Sequence, residues 1–390
     1  MKKRIAALLI LFFMFGVYCE RSVDIVMASN SFSKEKKTGR KEMDKLLKDL
    51  LMSDGISGYE ENVAKIITEA LSKSCDSVET DNFGNVIGKR GNGKKKIMIA
   101  AHMDEIGMIV KHVDEKGFIY FIKVGGINDP ILMGKTVKII NKKGEQITGI
   151  IGTKPPHLMN EEERKAPVKS ENMFIDIGLS SKKEVLKVID IGDQIIFEPS
   201  AGILNGDFYY GKAADNRISC YAMIKIMEKL SKNLDAEIYA CATAQEEVGL
   251  KGGKTSSFKI DPDFALVIDT TVSGDTPGID PKTSDLKLGK GVAITMIEAG
   301  GRGTIVPHKA RKLILDAAKE NNIPHQIDII DGGMTDGAAI YTNREGILTG
   351  ILSIPTRYIH APASVFNIKD VEAAVDLAVK TIERQIRENR

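Results

Sequence analysis

The sequence predicts an α/β protein, a sheet covered by helices on both faces, with a small all-β barrel inserted into it. Three features carry that expectation: short unbroken apolar runs, amphipathic segments that alternate with them, and a middle stretch of β-branched runs cut by Gly, Asn and Lys turns. At 390 residues, 43% of them apolar, the chain exceeds the usual span of one core, so a main domain with a smaller companion is expected.

Along the chain, 43–51 and 60–71 place apolar residues three and four apart, among them Val63, Ile66, Ile67, Ala70 and Leu71, as helices packed on a sheet require. The run 97–101 has no polar break and reads as a strand buried on both faces, as do 238–243, 265–268 and 350–354. Helical patterns at 218–230, 309–320 and 370–386 separate these strands. Between them, 118–124, 136–141, 146–151, 173–177 and 194–198 form the β-branched texture of the insert. The expected division is therefore 1–42 as a signal-like segment and linker, 43–112 and 207–390 as two parts of the α/β domain, and 113–206 as the barrel.

The 55 basic and 53 acidic residues leave a formal charge of +2 and are mixed along the chain, which excludes a broad field for nucleic acid or anionic lipid. Cys19, Cys75, Cys220 and Cys241 form no C-x-x-C pair, so buried free thiols are expected rather than a thiolate metal site or a disulfide scaffold. Lys2, Lys3 and Arg4 ahead of the apolar run 5–18 follow the pattern of a secretory signal too short to span a bilayer comfortably. Two readings stay open: an exported or membrane-tethered protein if Met1 is the start, a cytoplasmic one if Met43 is. The lysine-rich stretch 34–41 reads as a solvated linker.

The chemistry-bearing residues fall near the carboxyl ends of predicted core strands, where open α/β sheets hold ligands. In AAHMDEIG, His102 stands two residues before Asp104, a spacing that lets the acid accept the proton of the other ring nitrogen and set the tautomer; read alone, it suits a surface loop equally well. In ATAQEEVG, Glu246 and Glu247 divide naturally into a base and a ligand, although a helix N-terminus also favours acids. Asp269 is expected just after the strand 265–268, Asp215 in GKAADNRIS serves equally as an N-cap, and His360 lies in a loop between prolines. Two His, two Asp and a Glu make a nitrogen and oxygen ligand set without sulfur, suited to paired zinc, cobalt or manganese.

HMDEIG, KAADNR, QEEVGLKGG, VIDTT and PTRYIHAP, in that order, resemble the signature blocks of the tetrahedral metallo-aminopeptidases, the family of glutamyl aminopeptidase and of proteins once called endoglucanases. The likeness runs from about Met43 nearly to the C-terminus and takes in IGTKPPHLMNEEERKAP within the insert. It implies a three-layer α/β/α metallopeptidase domain with a mixed sheet, and two divalent ions, zinc or cobalt foremost. By that likeness His102 and Asp269 hold one ion, Glu247 and His360 the other, Asp215 bridges them, Glu246 is the general base and Asp104 orients His102. It also implies peptide substrates cut at the N-terminus, a barrel through which subunits dimerise, and twelve subunits in a tetrahedral cage. The chain departs from the family in its long N-terminal extension and at Ser364, where an acid is expected.

Rival readings are a related dinuclear exopeptidase or deacylase, a glycoside hydrolase, and a non-catalytic assembly protein. The absence of tryptophan and 6% aromatics fit sugar stacking poorly, and a free Glu246 has little purpose in a structural site. KGGKT at 251–255 lacks the P-loop glycine, since position 248 is Val248. Gly300, Gly301, Gly303, Gly332 and Gly333 are expected to let backbone approach a peptide, and His112, His157, His308 and His325 to be solvated or packed.

Overall fold

The computed structural model describes residues 42–231 and 233–388. The expectations for Lys2, Lys3, Arg4, Cys19 and the rest of the N-terminal segment lie outside these residues. Within 43–390, one compact unit, an 11-stranded mixed sheet and a closed six-stranded barrel carry the fold.

Four parallel strands form the centre of the sheet, in the order Glu237–Thr243, Lys96–His102, Phe264–Val272 and Thr349–Arg357. Their residues are buried almost without interruption, as strands covered on both faces must be. Antiparallel strands extend the sheet on either side: Val86–Arg90 and Ser77–Thr80 at one end, Ser364–Asn367, Phe208–Gly211 and Ala201–Asn205 at the other. Val292–Ile297 branches off antiparallel to Thr349–Arg357 and pairs in parallel with His325–Ile329.

Helices Ala214–Lys229, His308–Glu320 and Ile368–Arg387 pack together on one face, and Lys251–Ile260 with Gly337–Ile340 cover the other. The last long helix is capped by Asn367, whose side chain accepts from the Lys369 amide, and buries Val371, Ala374, Ala378 and Ile382, a three- and four-residue stripe. Lys45–Met52 starts at Asp44, whose carboxylate accepts from the Leu46 amide at 2.8 Å, and turns Leu47, Leu50 and Leu51 into the core. Gly252 and Gly253 serve packing rather than phosphate. A Cβ on Gly252 would lie 2.4 Å from the Ala244 carbonyl oxygen, and one on Gly253 2.5 Å from Asp336 Oδ1.

The barrel runs Gly107–Val113, Ile119–Val124, Phe174–Asp176, Gln146–Gly152, Thr136–Ile140 and Gln194–Phe197 around its circumference. Met108, Ile119, Val137, Ile139, Ile151, Ile175 and Ile195 fill its interior. Its first strand begins at Gly107, ahead of the boundary expected at 113, and Ala201–Asn205 belongs to the large sheet although the expected insert ran to 206. The chain thus passes from His102 into the barrel over four residues, which sets the barrel wall beside the carboxyl ends of the central strands.

Candidate metal centre

His102 is the last residue of its strand, registered against Thr243 in the neighbouring one. Asp269 lies inside the strand Phe264–Val272, not beyond its end as the apolar run 265–268 suggested; polar Thr270 and Thr271 continue the ladder and are buried with it. Asp215 sits in the first turn of Ala214–Lys229, where it and Asn216 depart from helical dihedrals and Asn216 is held by the Ile268 carbonyl at 3.0 Å. Glu246 and Glu247 occupy the turn between the strand Glu237–Thr243 and the helix Lys251–Ile260, and His360 the loop after Thr349–Arg357.

These segments bring all five expected ligands together. His102 Nε2 lies 3.2 Å from Asp215 Oδ1 and 3.7 Å from Asp269 Oδ1. His360 Nε2 lies 3.4 Å from Asp215 Oδ2 and 3.3 Å from Glu247 Oε2. Two groups of three result, His102–Asp215–Asp269 and Asp215–Glu247–His360, with the ligand atoms of each within 4.8 Å of one another. Ligands about 2.0–2.2 Å from a tetrahedral ion stand roughly 3.4 Å apart, which is the spacing of these pairs. Asp215 Oδ1 and Glu247 Oε1 are buried without a hydrogen-bond partner, a costly state for carboxylate oxygens unless a cation takes them. The donor set therefore fits divalent ions.

Asp104 organises the turn behind the ligands. Its Oδ1 lies 3.4 Å from His102 Nδ1 and accepts from the Glu246 amide at 3.0 Å; its Oδ2 accepts from the Glu247 amide at 3.2 Å and from Ser57 Oγ at 2.6 Å. The Asp104 backbone oxygen is 3.1 Å from His102 Nδ1 as well. Burial works to raise the Asp104 carboxyl, but hydrogen bonds and the charge of His102 overcome it and hold the group below its ordinary value.

Glu246 approaches His102 Nε2 at 3.8 Å through Oε2 and appears in neither ligand group. Burial, joined by the carboxylates of Asp269 and Asp336 and opposed by His102, pushes it well above the ordinary glutamate range. Burial likewise raises Asp269, and lifts Glu247 to about 7 with Asp215 adding to it. His360 rises to about 9: burial lowers it, but Asp215 and Glu247 more than offset that. So many acids in one buried space retain charge only with the help of neighbouring cations.

Several participants were not anticipated. Ser57 reaches Asp104 from a distant loop, and Gly125 and Gly126, on the barrel side, close over the second ligand group. A Cβ on Gly126 would lie 2.9 Å from His360 Nδ1, a crowding that only the missing side chain avoids. Asp336, fully buried, accepts from Thr243 Oγ1 at 2.5 Å and is raised to about 6, chiefly by burial. The adjacency of Thr335 and Asp336 to a glycine pair was the available signal. Gly332 and Gly333 do line the cavity, whereas Gly303 lies beneath it, against the Glu298 Cβ. Ser364 is buried and donates to the Tyr358 carbonyl at 2.9 Å, bracing the loop that carries His360.

The chain belongs to the M42 glutamyl aminopeptidase family, whose model matches residues 84–377. It is similar to the lysyl aminopeptidase of Pyrococcus furiosus, 32% identical over 345 residues that make up 87% of this chain and 96% of the relative. Among solved structures it resembles the TET aminopeptidase of a marine sediment archaeon of the Thaumarchaeota, with a TM-score of 0.85, 34% identity and coverage of 88% of this chain and 96% of that one. The TET1 peptidase of Pyrococcus horikoshii, which assembles into a tetrahedron or a large octahedral shell, matches with a TM-score of 0.78 at 32% identity over 86% of this chain and 98% of its own.

Proposed function

We infer that the protein is an aminopeptidase that hydrolyses the N-terminal peptide bond of peptides with two divalent ions, zinc or cobalt, in one site. The observation that carries this is Asp215, whose two carboxylate oxygens turn to two different imidazoles and so belong to both ligand groups. His102 and Asp269 complete one group, Glu247 and His360 the other. When bound, the ions supply a water of lowered pKa and polarise the scissile carbonyl.

The rest of the work falls to side chains. Glu246, unligated and raised by burial, takes a proton from the attacking water and returns it to the departing amine. Asp104 fixes the His102 ring and, through the Glu246 and Glu247 amides, keeps base and ligand in step. The carboxylates around the cavity give a free α-amine its counter-charge, which favours cleavage at an end over cleavage within a chain.

The family description names glutamyl substrates and the Pyrococcus furiosus relative is a lysyl aminopeptidase, so membership leaves the preferred N-terminal residue open. The shell formed by the Pyrococcus horikoshii relative supports a homo-oligomer here, and exposed Ile122 and Ile150 favour the barrel as the associating element.

The test is metal stripping followed by single-metal restoration, with turnover of aminoacyl p-nitroanilides and bound metal measured together. Activity should vanish on stripping and return with two ions per chain. Glu246→Gln should lose about 10²–10⁴-fold in kcat while keeping its metal. Turnover that survives stripping, or a Glu246→Gln variant as fast as the wild type, would refute the reading.

A further inference from the structure

We propose that the catalytic cavity selects peptides whose N-terminal residue is aliphatic, leucine or methionine foremost, and that Met334 and Val272 are the main determinants. The assignment rests on the aminopeptidase reading above and deepens it.

The cavity, about 610 Å³, is lined by two unlike sets of residues. One carries the ligands and Glu246. The other is made by Leu250, Val272, Ile330, Met334 and Ile359, brought together from four separate segments of chain. Val272 is 52% exposed and Met334 48%, so both turn apolar surface to solvent beside a dense group of charges. Apolar surface left open costs free energy that a ligand side chain recovers by covering it. A peptide whose α-amine lies among the carboxylates would bring its first side chain against these apolar residues.

Charge disfavours the alternatives. Among the described residues, no lysine or arginine lines the cavity. With Asp215, Glu247 and Asp269 committed to the two ions, the carboxylate of an N-terminal glutamate would find no side-chain cation among the lining residues to pair with. For an N-terminal lysine the one acid left over is Glu298, and it is out of reach. Its side chain is 0% exposed, Oε1 accepts from the Thr335 amide at 3.0 Å and Oε2 is buried without a hydrogen-bond partner, so it braces the turn beneath Met334 and offers no open surface to a ligand. Gly303 allows that bracing, since a Cβ there would meet Glu298 Cβ at 2.8 Å and Met334 Cγ at 2.9 Å.

The experiment compares leucyl, methionyl, glutamyl and lysyl p-nitroanilides on the metal-loaded protein, and measures binding of free leucine, glutamate and lysine by calorimetry. Leucyl and methionyl substrates should exceed the other two by at least about tenfold in kcat/KM, and leucine should bind most tightly of the free amino acids. Met334→Lys, at an exposed position that tolerates the longer side chain, should reduce the leucyl-to-glutamyl ratio by about tenfold or more; Val272→Lys should do the same. A glutamyl or lysyl preference, or variants that leave the ratio unchanged, would overturn the assignment while leaving the aminopeptidase reading intact. No turnover of any of the four by protein that holds its metal would overturn both.

Discussion

Glu60 illustrates how much of the site depends on a residue that touches no ligand. Its Oε1 accepts from the Gly58 amide at 2.8 Å and from the Gln245 amide at 3.1 Å, which ties the turn carrying Glu246 and Glu247 to the loop carrying Ser57. Burial, reinforced by the nearby Asp104 charge, raises its carboxyl from 4.5 to about 7. An acid raised on folding favours the folded state below its unfolded pKa, and that contribution is lost as pH climbs through the folded value. Glu60→Gln keeps the accepting oxygen and removes the charge. Its thermal midpoint should thus gain on the wild type as pH rises from 4.5 to 7, by an amount equivalent to at most about 3 kcal/mol. Melting curves of the two proteins across that range check it, and parallel curves would show that Glu60 is not raised. Little of this was visible beforehand: a glutamate at the start of an amphipathic segment looks like any solvated helix residue. His102, Asp104, Asp215, Glu246, Glu247 and His360 stood out as imidazoles and acids beside core strands, but each suited a cap or a surface loop as well, and only the likeness of the motif blocks divided them into ligands, base and orienting acid. Asp269 was found but misplaced, since an acid inside a fully buried strand breaks the apolar run that defines the strand to a reader of sequence.

Between elements, the ligand loops are locked to one another by a buried ion cluster. Lys212 Nζ lies 2.5 Å from Glu105 Oε1 and donates to the Ser53 carbonyl at 2.9 Å. Arg217 stands 3.6 Å from the same carboxylate and donates to the carbonyls of Met103, Leu50 and Gly55. All three side chains are 2% exposed or less. Glu105 follows Asp104 directly, while Lys212 and Arg217 flank Asp215, so the cluster couples the helix Lys45–Met52, the strand of His102 and the helix of Asp215. Removing one member of a buried pair strands the other charge. Lys212→Met should therefore lower unfolding stability by about 3 kcal/mol, the smaller end of the usual range because Arg217 remains near Glu105. Lys212→Met combined with Glu105→Leu should recover part of that loss. Denaturant midpoints decide the matter, and a single variant as stable as the wild type would show the cluster to be slack. The cluster went unread because its members lie on either side of the whole barrel in sequence, although all three sit inside the motif blocks. The apolar lining of the cavity was hidden for a related reason: Leu250, Ile330, Met334 and Ile359 come from loops, where no periodicity marks a buried or binding face.

At the scale of the whole molecule, the apolar residues left on the surface are telling. Ile122, Ile150 and Ile191 on the barrel are 54%, 47% and 55% exposed, and Met133, Leu158, Leu186 and Val188 stand out from the same part of the chain. Inward positions of the same strands, such as Phe121 and Ile151, are buried, so Ile122 and Ile150 point away from the barrel core. In the proposed homo-oligomer these residues would be covered by another copy of the chain, as the shells formed by the Pyrococcus horikoshii relative suggest for the assembly. Light scattering on the purified protein should give a mass that is a multiple of the chain. Replacing both Ile122 and Ile150 with lysine would place two charges in a buried contact, each costing about 2 kcal/mol or more in association, and should shift the population to smaller species. Because neither residue lies in the catalytic cavity, those smaller species should still hydrolyse a leucyl p-nitroanilide, whereas folded proteins, which the proposed closed shell would bar, should now reach the site. A wild-type protein that runs as a monomer at micromolar concentration would assign the barrel surface to some other partner.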